Sequence, residues 1–133
     1  MAVKPENQFI AKVHKHLPAS VYREKTANPF RGGTPDVYYE GQTDTLFVEY
    51  KFAPQLTPII ELSNTRKQPH LTKLQQLWIR RAVQNGRAVS VILGTPEGGV
   101  VFDGDTWNQT YTRNDLHLQS HEDIARWLTQ KVT

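Results

Sequence analysis

Apolar residues recur along this chain with two different periods, and the places where the period changes predict its elements. Pro5 at a first helical turn, followed by Phe9, Ile10, Val13 and Leu17, predicts an amphipathic helix that Pro18 ends. Residues 20–25 read as a first strand, and residues 28–34, rich in Gly, Pro and Asn, as a loop feeding Asp36. Residues 37–40 and 45–52 alternate with period two around a Gly41-Gln42-Thr43-Asp44 turn, which predicts a β-hairpin. Residues 53–70 are punctuated by proline without periodicity, and are expected to be the longest irregular and most mobile stretch. Thr72 with Gln75 matches a capping box opening a helix through Leu74, Leu77, Trp78 and Ala82, which stops near Gly86. Residues 88–93 form an apolar strand, 94–99 a turn and 100–102 a return strand, and Ser120 caps a last helix carrying Ile124, Trp127 and Leu128. The order α-β-β-β-α-β-β-α predicts an α/β (α+β) domain with a central mixed sheet flanked by helices.

With 133 residues, one domain spanning 1–133 is expected, large enough to bury a core without staples. The chain has no cysteine, which excludes disulfides and cysteine-ligated metal sites. The opening Met1-Ala2-Val3-Lys4-Pro5 holds no apolar stretch of the signal-peptide kind, and no apolar run approaches membrane-spanning length. An intracellular protein that needs no membrane is therefore expected. A net charge of +3 and a pI near 9.3 are compatible with a nucleic-acid partner but do not by themselves identify one. The histidines form no site: His14 and His16 lie two apart on a helix, and His117 and His121 straddle a helix start.

The chemistry is concentrated on the hairpin. In residues 45–52, Phe47, Glu49 and Lys51 share one face and Leu46, Val48 and Tyr50 the other, because strand side chains alternate. Asp36 begins the partner strand, so two carboxylates and an ammonium are expected to converge. Those are the parts needed to hold a divalent cation beside a water and a phosphodiester. A solvated surface pair is the ordinary alternative for Glu49 and Lys51, but this strand is otherwise apolar on both faces, and a charged pair inside a buried strand needs a reason.

Pro35-Asp36 and Glu49-Tyr50-Lys51 on the second and third strands of this element order resemble the PD-(D/E)XK nuclease superfamily, over roughly residues 5–102. The resemblance implies a restriction-endonuclease-like αβββαβ core, with residues 103–133 as a C-terminal helical extension. Gly33-Thr34-Pro35-Asp36, Glu49-x-Lys51 and Thr72-x-x-Gln75-x-x-Trp78 followed by Gly86 look most like the small virus-type replication-repair nuclease (VRR-NUC) domains, which are typically found in phage or repair proteins. Thr34-Pro35-Asp36-Val37 with Phe47-Val48-Glu49-Tyr50-Lys51 is also similar to phage endonuclease I, a resolvase of branched DNA, and that likeness fades after Lys51.

What the resemblance implies is a metal-dependent DNA endonuclease, related to phage and acting on branched or structured DNA in the cytoplasm of a bacterial or phage-infected cell. Asp36, Glu49 and the main-chain carbonyl of Tyr50 would bind Mg²⁺ or Mn²⁺, and Lys51 would orient or deprotonate the attacking water. Superfamily members often add a carboxylate from the first helix, here Glu6, although a first-turn glutamate also suits the helix dipole. Gln75 is implied to touch Lys51 or the scissile phosphate. No nucleotide cofactor is expected. Lys12, Lys15, Arg31, Arg66, Lys67, Lys73 and Arg80 are candidate phosphate contacts, with an ordinary solvated surface as the equal alternative. One site cuts one strand, so paired incisions call for a homodimer or two sequential events. A site-specific homing or restriction-like enzyme, and a catalytically silent DNA-binding module, are the other readings.

Overall fold

The computed structural model of the chain describes residues 4–26 and 32–133. Helix α1, Pro5–His14, is followed by strands β1 (Tyr22–Lys25), β2 (Val37–Glu40) and β3 (Thr45–Phe52). A two-residue strand β4 (Ile59–Ile60) precedes helix α2 (Lys73–Gln84), strands β5 (Val89–Thr95) and β6 (Gly98–Asp103), strand β7 (Tyr111–Thr112) and helix α3 (His121–Val132). Five strands form one sheet in the order β1-β2-β3-β5-β6, with β3 at its centre. Among the described residues only the β3–β5 pair is parallel. A parallel pair cannot be joined by a tight turn, and β4 and α2 lie in the crossover between them.

The alternation along β3 sorts its side chains between two cores. Leu46, Val48 and Tyr50 pack with Phe9, Ile10 and Val13 of α1 and Ile124, Leu128 and Val132 of α3. Residues beyond the expected αβββαβ core thus help to close that layer. On the opposite face Leu71, Ile79 and Ala82, around α2, pack with Val89, Val91 and Leu93 of β5, and the half-buried Phe47 joins them. Each such aliphatic side chain contributes on the order of 1.5–3 kcal/mol when fully buried.

Two expectations are corrected. Residues 53–70 are not simply irregular: β4 pairs with β7, and Ile60 and Leu62 are each 1% exposed in the second core. The return strand lies about 50 residues away, beyond the reach of a local periodicity. On α2, Leu74 and Leu77 face outward at 57% and 62% exposure, while Gln76, Ile79 and Ala82 are buried. Gln76 is accommodated because its amide donates to the carbonyls of Ser63 and Leu71 at 3.0 and 2.9 Å.

Candidate active site

Register brings the acids together. Val37 lies opposite Val48 in the antiparallel β2–β3 pair, and one step further along the ladder Asp36 faces Glu49. Asp36 accepts a hydrogen bond from the Tyr50 main-chain N–H at 2.9 Å, which fixes one carboxylate oxygen against the β3 backbone. The main chain of Asp36 is tied to β1's end, where Thr26 N–H donates to the Asp36 carbonyl at 2.9 Å and the Thr26 hydroxyl donates to that of Pro35.

The approach to Asp36 depends on a glycine. Gly33 has φ +93°, and a Cβ there would stand 2.4 Å from the Leu74 carbonyl oxygen. Only a residue without a side chain lets this loop press against the first turn of α2. That contact seats Asp36 and Gln75 on the same side of the sheet. The capping box forms in full: Gln75 N–H donates to Thr72 Oγ1 at 3.2 Å, and Thr72 N–H donates to Gln75 Oε1 at 2.9 Å. The other end of the same amide reaches the acid, with Gln75 Nε2 donating to the two Glu49 oxygens at 3.4 and 3.5 Å. Capping and site contact are therefore one side chain's two ends.

Glu49 is 1% exposed. Burial raises its pKa well above the ordinary carboxylate range, Asp36 raises it further by charge and by a shared hydrogen bond, and Lys51 opposes the shift only in part. Glu6, half-buried at the start of α1, is shifted upward by burial and then by Asp36, against the pull of Lys51. Lys51 makes no ion pair with any acid among the described residues. Its ammonium is near enough to be felt and is not spent on a salt bridge.

This donor set fits a divalent cation. Asp36 and Glu49 are hard oxygen donors held face to face, and burial first and the Asp36 charge second disfavour an anionic Glu49 unless a cation offsets them. The Tyr50 carbonyl belongs to the same short segment. Among the described residues no three Asp, Glu or His side chains come close enough to hold a metal by themselves. Glu6 is within electrostatic reach of the pair but is not gathered into a three-carboxylate cluster.

The basic candidates are spread over the surface. Lys12 is exposed on α1 and Lys15 at its C-terminal cap, Arg66 and Lys67 on the segment before α2, and Lys73 and Arg80 on α2. Arg80 lies over the ring of the buried Trp107, its guanidinium carbon 5.7 Å from the centroid. Arg31 lies outside the described residues. A feature that the periodicity did not reveal runs beneath the site, where His14 Nε2 meets Tyr39 Oη at 2.7 Å and Tyr39 Oη meets Tyr50 Oη at 2.6 Å. The available signal was two tyrosines on inward-facing strand positions, since buried hydroxyls take partners.

No protein-family model and no curated protein sequence matches the chain. Among solved structures it is similar to Hjc of Archaeoglobus fulgidus, a Holliday junction resolvase from an archaeal hyperthermophile. The TM-score is 0.54 at 15% identity, over 92% of this chain and 97% of that one. At that identity the likeness speaks for architecture alone: this chain has the α+β fold of the archaeal resolvase, a mixed five-stranded sheet flanked by helices.

Proposed function

We propose that the protein is a metal-dependent DNA endonuclease that hydrolyses phosphodiester bonds in branched or structured DNA. The observation that carries this reading is the carboxylate pair of buried Glu49 on the central strand and half-buried Asp36 just before β2, with Lys51 two residues on along the same strand face and Gln75 reaching in from α2. Asp36, Glu49 and the Tyr50 carbonyl hold Mg²⁺ or Mn²⁺, and Glu6 stands by as a further carboxylate. The cation, when bound, supplies Lewis-acid polarisation of the phosphate and of a water. Lys51 takes or directs the proton of the attacking water and offsets charge building on the phosphate oxygens. Gln75 holds Glu49 in place and offers its amide toward the scissile phosphate. The likeness in fold to a protein described as a Holliday junction resolvase supports DNA, and branched DNA first, as substrate. The association with phage rests on the VRR-NUC-like motifs. A homodimer would supply the two sites that a paired incision at a junction requires.

The test is cleavage of labelled single-stranded, duplex, nicked, flap and four-way-junction DNA with Mg²⁺, Mn²⁺ or EDTA. Wild type should cut with either metal and not with EDTA, and Asp36→Ala, Glu49→Ala and Lys51→Ala should each lose at least about 10³-fold in rate while staying folded. Full activity in Lys51→Ala would remove Lys51 from its role. DNA binding without cleavage under any metal would leave a binding module in place of an enzyme.

A further inference from the structure

Strand β3 does not end at Lys51 but one residue later, at Phe52, and this half-buried ring is a ridge between two hollows. It sits opposite Gly94 of β5, and its ring centroid lies 6.4 Å from that of Phe9. On the α1 side is a hollow of about 280 Å³ walled by Pro5, Phe9, Lys12 and His121. On the other side is one of about 250 Å³ walled by Gln55, Thr57 and Gln68. A further opening shares Thr57 and Gln68 with the second hollow and carries Lys67. Phe52 is common to the first two hollows and Thr57 and Gln68 to the second and third, so the three lie in a row, a trough interrupted by Phe52, from Lys12 to Lys67. Side chains alternate along β3, so Phe52 points to the face opposite Lys51; what links the trough to the candidate active site is the shared end of β3 and the start of α1, where Pro5 on the rim precedes Glu6, whose carboxylate feels Asp36 and Lys51.

Its chemistry is graded along its length. Cations stand toward the two ends, while the middle offers an aromatic ring, prolines and exposed carboxamides, and among the described residues no acidic side chain lines these three openings. Ammonium groups suit phosphates. A ring edge flanked by amides suits the flat apolar faces and polar edges of nucleobases, which stack on aromatic side chains when unpaired. Bases inside a continuous duplex are already stacked and cannot present a face to Phe52. An acidic peptide would meet the lysines but would leave the uncharged middle without a matching partner.

We propose that this trough takes unpaired nucleotides next to the scissile phosphate, seated on either side of Phe52. The proposal rests on the nuclease reading above and narrows its substrate to DNA that is single-stranded at or beside the cut. The experiment is binding in EDTA, where no cleavage occurs, of 2-aminopurine-labelled single-stranded, flap and blunt duplex oligonucleotides. Wild type is compared with Phe52→Leu, which keeps apolar bulk against Phe9, and with the exposed pair Gln55→Ala/Gln68→Ala. Wild type should bind single-stranded and flap DNA more tightly than duplex. Phe52→Leu should lose at least about fivefold on the unpaired substrates and less than about twofold on the duplex. The glutamine variant should show the same pattern, and it decides the matter if Phe52→Leu fails to fold. Unchanged binding by the folded variants, or an equal loss on duplex, would overturn the trough. Cleavage by wild type with Mg²⁺ is scored separately: a nuclease whose variants bind as wild type does loses only the trough, and selective binding without cleavage loses only the nuclease.

Discussion

At Glu49 opposing influences act on one proton. Burial and the charge of Asp36 favour the protonated form, and Lys51 opposes them without cancelling them. The folded protein therefore holds this proton to a higher pH than the unfolded chain does. The associated stability is complete below the ordinary carboxylate pKa and is lost progressively as pH rises above it. A site arranged in this way costs stability until a cation arrives, as sites shaped for function often do. Without metal, Glu49→Gln should raise the melting temperature at pH 7 by several degrees and flatten the loss between pH 5 and 8. Mg²⁺ should stabilise wild type and not the variant. Thermal melts across that range with and without Mg²⁺ check this, and an unchanged or lower melting temperature for Glu49→Gln at pH 7 would refute the account.

At the scale of elements, α2 carries structure and site through one motif. Its capping box spends the carbonyl oxygen of Gln75 on the helix start and leaves the amide nitrogen for Glu49. Thr72→Ala should then cost about 1 kcal/mol of stability and also lower cleavage, because Gln75 loses the hydrogen bond that orients its first turn. Ser120 is a cap of the same kind on α3, where its hydroxyl accepts from Asp123 N–H at 3.0 Å, and it has no contact with the site. Ser120→Ala should cost a similar amount of stability and leave cleavage unchanged. Denaturant titrations beside initial rates for both variants separate the two effects, and equal loss of rate in both would mean that capping acts only through global stability. The outward-facing Leu74 and Leu77 show where element-level reading fails, since a helix that seats one polar residue inward rotates its stripe by that much. Gln76 is buried because Ser63 and Leu71 satisfy its amide, which no periodicity within α2 can announce.

Across the whole molecule, the hydroxyl chain of His14, Tyr39 and Tyr50 ties α1 to the two strands that carry the acids. Burial, followed by Arg23 and Lys25, lowers the His14 pKa to about 4. With its proton on Nδ1, neutral His14 accepts through Nε2 from Tyr39, whose hydroxyl oxygen can then accept from Tyr50. A protonated ring would have to donate, reversing the chain and leaving the Tyr50 hydroxyl proton without its acceptor at 1% exposure. The unfolded chain takes up this proton near pH 6.5 and the folded one only near 4, so the stability contributed by neutral His14 is complete above 6.5 and is lost as pH falls through that interval. The stability difference between wild type and His14→Gln should shrink by roughly 1–2 kcal/mol from pH 7 to pH 4, allowing for the ring's partial exposure. Urea titrations at each pH measure it, and a difference independent of pH would show that the chain does not govern the protonation of His14.

Read along the chain, alternation in residues 45–52 was enough to assign Glu49 and Lys51 to one face, and the two caps were enough to place α2 and α3, because a strand or a helix start is decided by neighbours within a few residues. Asp36 was legible as a partner for Glu49 once the turn at residues 41–44 set the register. The pairing of β4 with β7, the inward Gln76, the passage of Gly33 over α2 and the union of His14 with two tyrosines were decided only in three dimensions. Each depends on which distant surfaces meet, and so does the charge state of Glu49: its spacing from Lys51 is local, but the low-dielectric surroundings that hold its proton are built by strands and a helix from across the whole chain.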